Sequence, residues 1–414
     1  MTEPPLIIVV SSGYHLYREY LLAQVAATAR VWLLLGDVPT WERRYVAGYT
    51  VVDTLDTDAM VAAVQDLPER AQIRGVLCWD EVRMIQSARL AERLGLPGGH
   101  PAANARCRDK HQTRTTLTAA GVTQPASAPV SSASEAHAVA ARFGFPVVVK
   151  PRALGASLGV SLVTSPADLD KAYLHAREAT EDGVPYYELG VLVEEYLDGE
   201  EISIDCAISG GRVRPMFVAR KLTGFDPHFE EIGHVVAARD PLLGDDALVE
   251  VLHRAHHAVG FTDGITHTEV RLTRAGPTIV EINCRLGGDL IPFVGWVATG
   301  IEPGRVAVQV CCGQPPDLVA TRQRVAAVHF FYPDGDVVVD RVDVDHRALP
   351  GSVDTMGVLA RPGQRLVLPP QGHVTSRYGY VVVVGDSAEA CLAAAGPARA
   401  AFTLRGTAMP GRAL

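Results

Sequence analysis

The chain has 414 residues, 48% hydrophobic and 21% charged, with a net charge of −9. That length allows two or three domains with real apolar cores, at roughly 100–200 residues each. The acidic balance, without a basic tail, argues against nucleic acid or an anionic membrane as the main partner, and no apolar run reaches the ~18 residues of a membrane-spanning helix. Seven cysteines (Cys78, Cys107, Cys206, Cys284, Cys311, Cys312 and Cys391) show no CxxC pairing and sit mostly in apolar runs. They read as reduced, buried residues of a cytosolic protein rather than a disulfide frame or zinc site. The start, MTEPPLIIVV, is acidic with a short apolar run, which does not fit a signal peptide.

Residues 6–10 are wholly apolar and end in Ser11-Ser12-Gly13, as a buried parallel strand and its turn would. A helix is predicted over 17–29, a strand over 31–35, a helix over 58–65, a strand over 73–78 and a helix over 82–94. Strands alternating with helices mean a small α/β domain with a parallel sheet. Its first turn lacks GxGxxG, so a dinucleotide site is not supported. Gly98-Gly99-His100-Pro101 breaks the chain, and 104–120 reads as one helix carrying Asp109-Lys110. By residue type alone that lysine belongs to a solvated face.

A linker over 121–129 leads to a helix over 135–143 and a strand over 145–151 that carries Lys150 near its end. The loop 152–160, RALGASLGV, follows. Backbone N–H groups of a small-residue loop cradle phosphate oxygens, and a lysine adds a point charge. The order differs from GxxxxGK[ST], where the lysine ends the loop, and an ordinary strand–turn fits the stretch as well. Ser165 and Pro166 open a helix to about 178. Strands over 192–197 and 201–208 flank Asp198-Gly199, and 213–219 is a further strand. Residues 221–238 read as a loop, too long to be idle in a compact domain. The helix over 245–259 carries His253, His256 and His257 at a spacing compatible with metal ligation, with a polar helix face as the preferred reading.

Residues 267–292, HTEVRLTRAGPTIVEINCRLGGDLIP, organise the chain. Two runs of period-two alternation flank a turn at 274–277, a β-hairpin signal. His267, Glu269 and Arg271 share one side of the first strand; Glu281, Asn283 and Arg285 share one side of the second. If Thr273 pairs with Pro277, Glu269 lies opposite Glu281, and His267 opposite Asn283. Like charges so placed, ~5 Å apart at Cβ, are destabilising, so a cation belongs between them. Two carboxylates and an amide oxygen are hard ligands of the kind Mg²⁺ prefers. The pattern also fits an exposed hairpin whose charges are answered by Arg271 and Arg285, and a one-residue slip would separate the glutamates. Beyond it, 304–312 reads as a helix, 325–332, 337–339 and 380–384 as strands, and 387–395 as a last helix.

Glu269 and the run Glu281-Ile282-Asn283-Cys284-Arg285-Leu286-Gly287-Gly288 resemble the metal-binding end of the ATP-grasp superfamily, in particular its carboxylate–amine ligases that join amino acids. The resemblance covers nearly the whole chain, with its specific motifs between Lys110 and Gly288. It implies an α/β ATP-grasp fold. A Rossmann-like domain over 1–100 would precede an ATP-grasp domain over 101–313, with a small lobe over about 125–195 and a large lobe over 196–313. An α/β segment over 314–414 would complete the cleft, which Ser11 to Tyr14, Asp80 and Glu81 would border. It implies ATP and two Mg²⁺ ions, with Mn²⁺ as an alternative, held by Glu269, Glu281 and Asn283. Lys110 would reach the α-phosphate and adenine side and Lys150 the β-phosphate, with Gly155, Ala156, Ser157 and Gly159 as the flap. Glu194 and the backbone near Glu195 and Leu197 would meet adenine, and Glu201 the ribose, whose diol suits a carboxylate acceptor. Arg285 would steady the tetrahedral intermediate. Glu231 would meet the acceptor amine, with His234 near the reacting carboxyl. Cys284 departs from the usual proline, on the back face.

The implied activity is an ATP-dependent carboxylate–amine ligase. It would join an amino acid to an amine through an acyl phosphate, on small molecules, in the cytoplasm. The alternatives are another ATP-grasp reaction, such as carboxylation through carboxyphosphate, or a non-catalytic nucleotide-binding module. Dimers are common in the resembled group, so a homodimer is one expected state.

Overall fold

The computed structural model describes residues 4–180 and 190–409. The acidic start at 1–3, the 181–189 part of the predicted small lobe and 410–414 of the C-terminal segment lie outside the described residues. The chain divides into two compact units, one of residues 1–124, 199–218 and 240–321, the other of residues 125–198, 219–239 and 322–414.

In the first unit the predicted α/β opening is present. Four parallel strands run in the order Gly48–Val51, Arg30–Leu35, Leu6–Val10, Ile73–Leu77. Every residue of Leu6–Val10 is fully buried, as a wholly apolar run in a covered parallel sheet should be. The helix predicted over 104–120 is two helices, Pro101–Arg108 and Lys110–Ala119. Asp109 between them is extended, and its carboxylate accepts from His111 N at 3.0 Å. It thus caps the second helix, a position aspartate favours over a helix interior, and Lys110 stands in a first turn.

The strands Glu200–Ser209, Gly264–Thr273 and Gly276–Asn283 are antiparallel neighbours. On their back face Ile202, Ile204, Val270, Ile279, Ile282 and Cys284 pack with Leu248, Leu252 and Val259 of the helix Asp246–Val259. His256 belongs to this core and not to a polar helix face. It is fully buried, its Nδ1 donates to the Leu252 carbonyl at 2.7 Å, and its Nε2 accepts from Thr266 Oγ1 at 2.8 Å. Burial lowers its pKa to about 4.

The hairpin turn is tighter than predicted: Thr273 pairs with Gly276 and Leu272 with Pro277. Val280 is then a surplus residue at a bulge, because Val270 pairs with Ile279 while Glu269 pairs with Glu281. The two one-residue departures cancel, and His267 faces Asn283 as expected.

In the second unit, antiparallel strands run in the order Ser127–Val130, Val191–Glu195, Val147–Pro151, Ser161–Val163. The helices Ala133–Phe143 and Leu169–Glu178 pack on them. The long loop predicted over 221–238 is a hairpin instead. Arg212–Gly224 and Glu230–Ala237 pair from Ala219–Val236 to Gly224–Glu230, leaving residues 225–229 as the connection. Its Phe225, Asp226, Pro227 and Phe229 carry the turn character, while Val235 and Val236 are buried strand residues. Val325–Phe331, Gly379–Gly385 and Val353–Val358 continue this sheet, and Val337–Val344 pairs with Arg365–Leu366 and Phe402–Ala408 in another. No helix among the described residues is long and apolar enough to cross a membrane.

Candidate active site

Each unit holds its own group of predicted site residues. In the first, strand register sets Glu201, Ser203 and Asp205 beside Arg271, Glu269 and His267, and sets Glu281 and Asn283 opposite Glu269 and His267. Three neighbouring strands thereby present one polar face. Lys110 stands beside this acid pair, its Nζ 3.0 Å from Glu281 Oε1. One turn further along the helix, Arg114 donates to the Val280 carbonyl at 2.7 Å. Residues i and i+4 share a helix face, so a single face of Lys110–Ala119 grips both the acid and the bulge beside it.

The two arginines proposed to answer the glutamates also hold other partners. Arg271 meets Glu201 at 2.6 Å and the Gly199 carbonyl at 2.9 Å. Arg285 Nε donates to Glu81 Oε2 at 2.5 Å and its Nη1 to the Leu286 carbonyl at 2.9 Å. Burial works against charge on Arg285, yet the carboxylates around it, Glu81 foremost and then Glu281 and Asp205, together more than offset it and hold the guanidinium pKa above its ordinary value. Arg108 approaches the other oxygen of Glu81 at 3.4 Å.

In the second unit Lys150 Nζ lies 2.6 Å from Glu194 Oε2, and both side chains are buried. The adjacent register, Val148 opposite Glu194 and Lys150 opposite Leu192, produces this pair. The Glu194 carboxylate is therefore engaged with Lys150, and the Glu195 N–H with the Ala126 carbonyl at 2.9 Å. In the loop that follows Lys150, Ala156 and Ser157 both have positive φ, 53° and 56°. For non-glycine residues this costs roughly 1–2 kcal/mol each, and such strain clusters at ligand clamps. Gly159 (φ 76°) has no room for a side chain, since a Cβ would lie 2.7 Å from that of Ala179.

Glu231 and His234 sit on a strand. Lys221 pairs opposite His234. Glu231 bridges the two, with Oε1 2.9 Å from Lys221 Nζ and Oε2 3.2 Å from His234 Nε2. Burial pushes Glu231 up, but Lys221 and His234 outweigh it and hold its carboxyl well below the usual range. From beneath, the buried Arg377 donates to the Glu231 carbonyl at 2.7 Å and to Tyr332 Oη at 2.9 Å, with its guanidinium 3.8 Å from the Phe330 ring centre. Tyr332 Oη donates to Glu230 at 2.5 Å.

The ATP-grasp domain family matches residues 143–292. The uncharacterized protein y4rH of Sinorhizobium fredii is 30% identical over 348 residues, 81% of this chain and 69% of that protein. The chain belongs to the ATP-grasp family. Several of its relatives in that family are named as ligases. The alanine–anticapsin ligase of Bacillus subtilis is 27% identical over 58% of this chain and 54% of its own length, so the chain spans about half of that relative. The L-amino acid ligase of Bacillus licheniformis shares the fold, with a TM-score of 0.79 at 20% identity over 98% of this chain and 100% of that one.

Several residues of this ATP-grasp chain escape a sequence reading. Asp205 has a signal, the alternation Glu201-Ser203-Asp205 in EEISIDCAIS, which marks a polar face continuous with Glu269. Lys221 has none until the hairpin is known, and Arg377 none at all. The donor set Glu269, Glu281 and Asn283 suits Mg²⁺, because it offers two carboxylates directly opposite each other and, two residues beyond Glu281 on the same strand, an amide oxygen, all hard donors.

Proposed function

We propose that the chain is an ATP-dependent ligase that joins the carboxylate of an amino acid to an amine, through an acyl phosphate, releasing ADP and phosphate. The observation that carries this reading is the opposition of Glu269 and Glu281, with Asn283 beside them, Lys110 at 3.0 Å and Arg285 following. Glu269, Glu281 and Asn283 would hold two Mg²⁺ ions. The metal supplies neutralisation of the polyphosphate charge. Lys110, placed against Glu281, suits the phosphates better than adenine. Lys150 and the loop from Gly155 to Gly159 take the β- and γ-phosphates, and Glu201 the ribose.

The carboxylate oxygen attacks the γ-phosphorus and ADP leaves. The amine nitrogen then attacks the acyl carbon and phosphate leaves. Arg285, charged and fixed by Glu81, stabilises the oxyanion of that second step, where preorganised donors contribute most. Glu231 is too acidic in this setting to be an efficient base. Its role is to draw and orient the amine as a fixed anion, with His234 beside it.

On this reading the segments 1–100, 101–313 and 314–414 are the working divisions of a cytoplasmic enzyme acting on small molecules. A matrix of amino-acid pairs with MgATP tests the proposal. At least one pair should release phosphate together with a product of the summed mass less water. ADP release with none of the pairs would overturn it.

A further inference from the structure

Asp205 is fully buried in the strand Glu200–Ser209. Its Oδ1 accepts from His267 Nδ1 at 2.7 Å and from the Gly287 N–H at 3.1 Å. Its Oδ2 has no hydrogen-bond partner among the described residues. A buried acid with an unanswered oxygen costs free energy, and a strand that served stability alone would do better with an apolar side chain. What the acid holds is the turn after Arg285. The Gly287 carbonyl accepts from Arg18 Nη1 at 3.1 Å, so this one peptide unit is gripped at both ends. A Cβ on Gly287 would lie 2.8 Å from His267 Nδ1 and 3.2 Å from Asp205 Oδ1, so the grip demands glycine.

Arg285 lies two residues before Gly287, already bonded to Glu81 and to the Leu286 carbonyl. We infer that Asp205 and His267 form a positioning pair which, through the Gly287 N–H, fixes the Arg285–Gly288 turn in the geometry that delivers the acyl phosphate to the amine and not to water. The His267 ring orients Asp205 Oδ1, Asp205 fixes the peptide, and Arg18 holds its other end. The inference rests on the ligase reading. A loosened turn leaves γ-phosphoryl transfer possible while the oxyanion donor wanders. Water then attacks the acyl carbon, and ADP and phosphate appear without an amide.

The test is the ratio of amide formed to ADP released, which does not depend on how much of a preparation is folded. It uses full-length protein, MgATP and an equimolar mixture of the proteinogenic amino acids, with products weighed by mass spectrometry. Asp205→Leu should lower kcat for ligation, and the ratio with it, by up to roughly 100-fold, the scale of a small misplacement at a reacting centre, with ADP release and KM for ATP little changed. Asp205→Asn, which keeps an acceptor for Gly287, should recover part of the loss. Arg18→Gln, on a half-buried side chain, should lower the ratio less, and it carries the test alone if Asp205→Leu does not fold. Variants that lose ADP release and amide in equal proportion, at the wild-type ratio, would overturn the positioning role. A wild type that forms no amide with any amino acid would instead sink the ligase reading.

Discussion

Glu281 is held by Lys110 in the structure, and on the proposed reaction it shares the metal with Glu269. Glu281→Gln keeps an acceptor for Lys110 but loses the charge, at a stability cost of about 1–3 kcal/mol for a weakened charged hydrogen bond. Turnover should fall by 100-fold or more, roughly the scale of removing one electrostatic stabiliser. MgATP, which should raise the wild-type melting temperature by mass action, should no longer do so; an unchanged thermal shift would remove Glu281 from the metal. Arg285→Ala should cut ligation by roughly 10²–10³-fold, as loss of an oxyanion donor does, while KM for ATP stays within about three-fold. A collapse of ATP affinity would assign Arg285 to the nucleotide. That these glutamates share a face is legible in sequence because polar residues alternate on both strands of the hairpin; that they stand directly opposite depends on the bulge at Val280, which the alternation does not show. The partner of each is not legible: Lys110 with Glu281 and Glu81 with Arg285 join residues far apart in the chain, and spacing carries no information about such contacts.

At the scale of elements, period-two and period-3.6 patterns place most strands and helices within a few residues. The strands Gly48–Val51, Ser127–Val130, Val353–Val358 and Phe402–Ala408 are not among the elements those patterns place, and the first two are too short to show a period. Three further misreadings have local causes. Asp109 reads as part of a continuous helix until its cap to His111 is seen. Residues 221–238 read as a loop because turn residues cluster at 225–229 and obscure the paired strands either side. His256 shares a spacing with His253 and His257 but points inward. That burial gives helix Asp246–Val259 a pH dependence. The folded pKa of about 4 lies below the unfolded value of about 6.5, so the stabilisation is complete above pH 6.5 and drains away as pH falls toward 4. The difference corresponds to about 3 kcal/mol. His256→Gln should flatten the urea-denaturation midpoint between pH 6.5 and 4 relative to wild type. An equally steep loss in the variant would place the titration elsewhere.

For the whole molecule, the family and fold follow from a few motifs in a fixed order, and the substrates do not. Pocket shape decides specificity, and the contacts made by residues such as Asp205, Lys221 and Arg377 arise only through folding. The competing carboxylation chemistry makes a different demand on the medium. ADP release should rise with amino acids and be indifferent to added bicarbonate. Bicarbonate-dependent release without an amino acid would favour carboxylation.

The bulge at Val280 has a consequence for how this strand tolerates change. With Val280 removed, Ile279 and Glu281 would still meet Val270 and Glu269, as an unbroken ladder from Thr273–Gly276 requires. The inward and outward alternation would survive, and only the carbonyl that Arg114 grips would be lost. The site thus has an expansion joint beside its most demanding pair of charges, where a codon can be dropped without moving either acid.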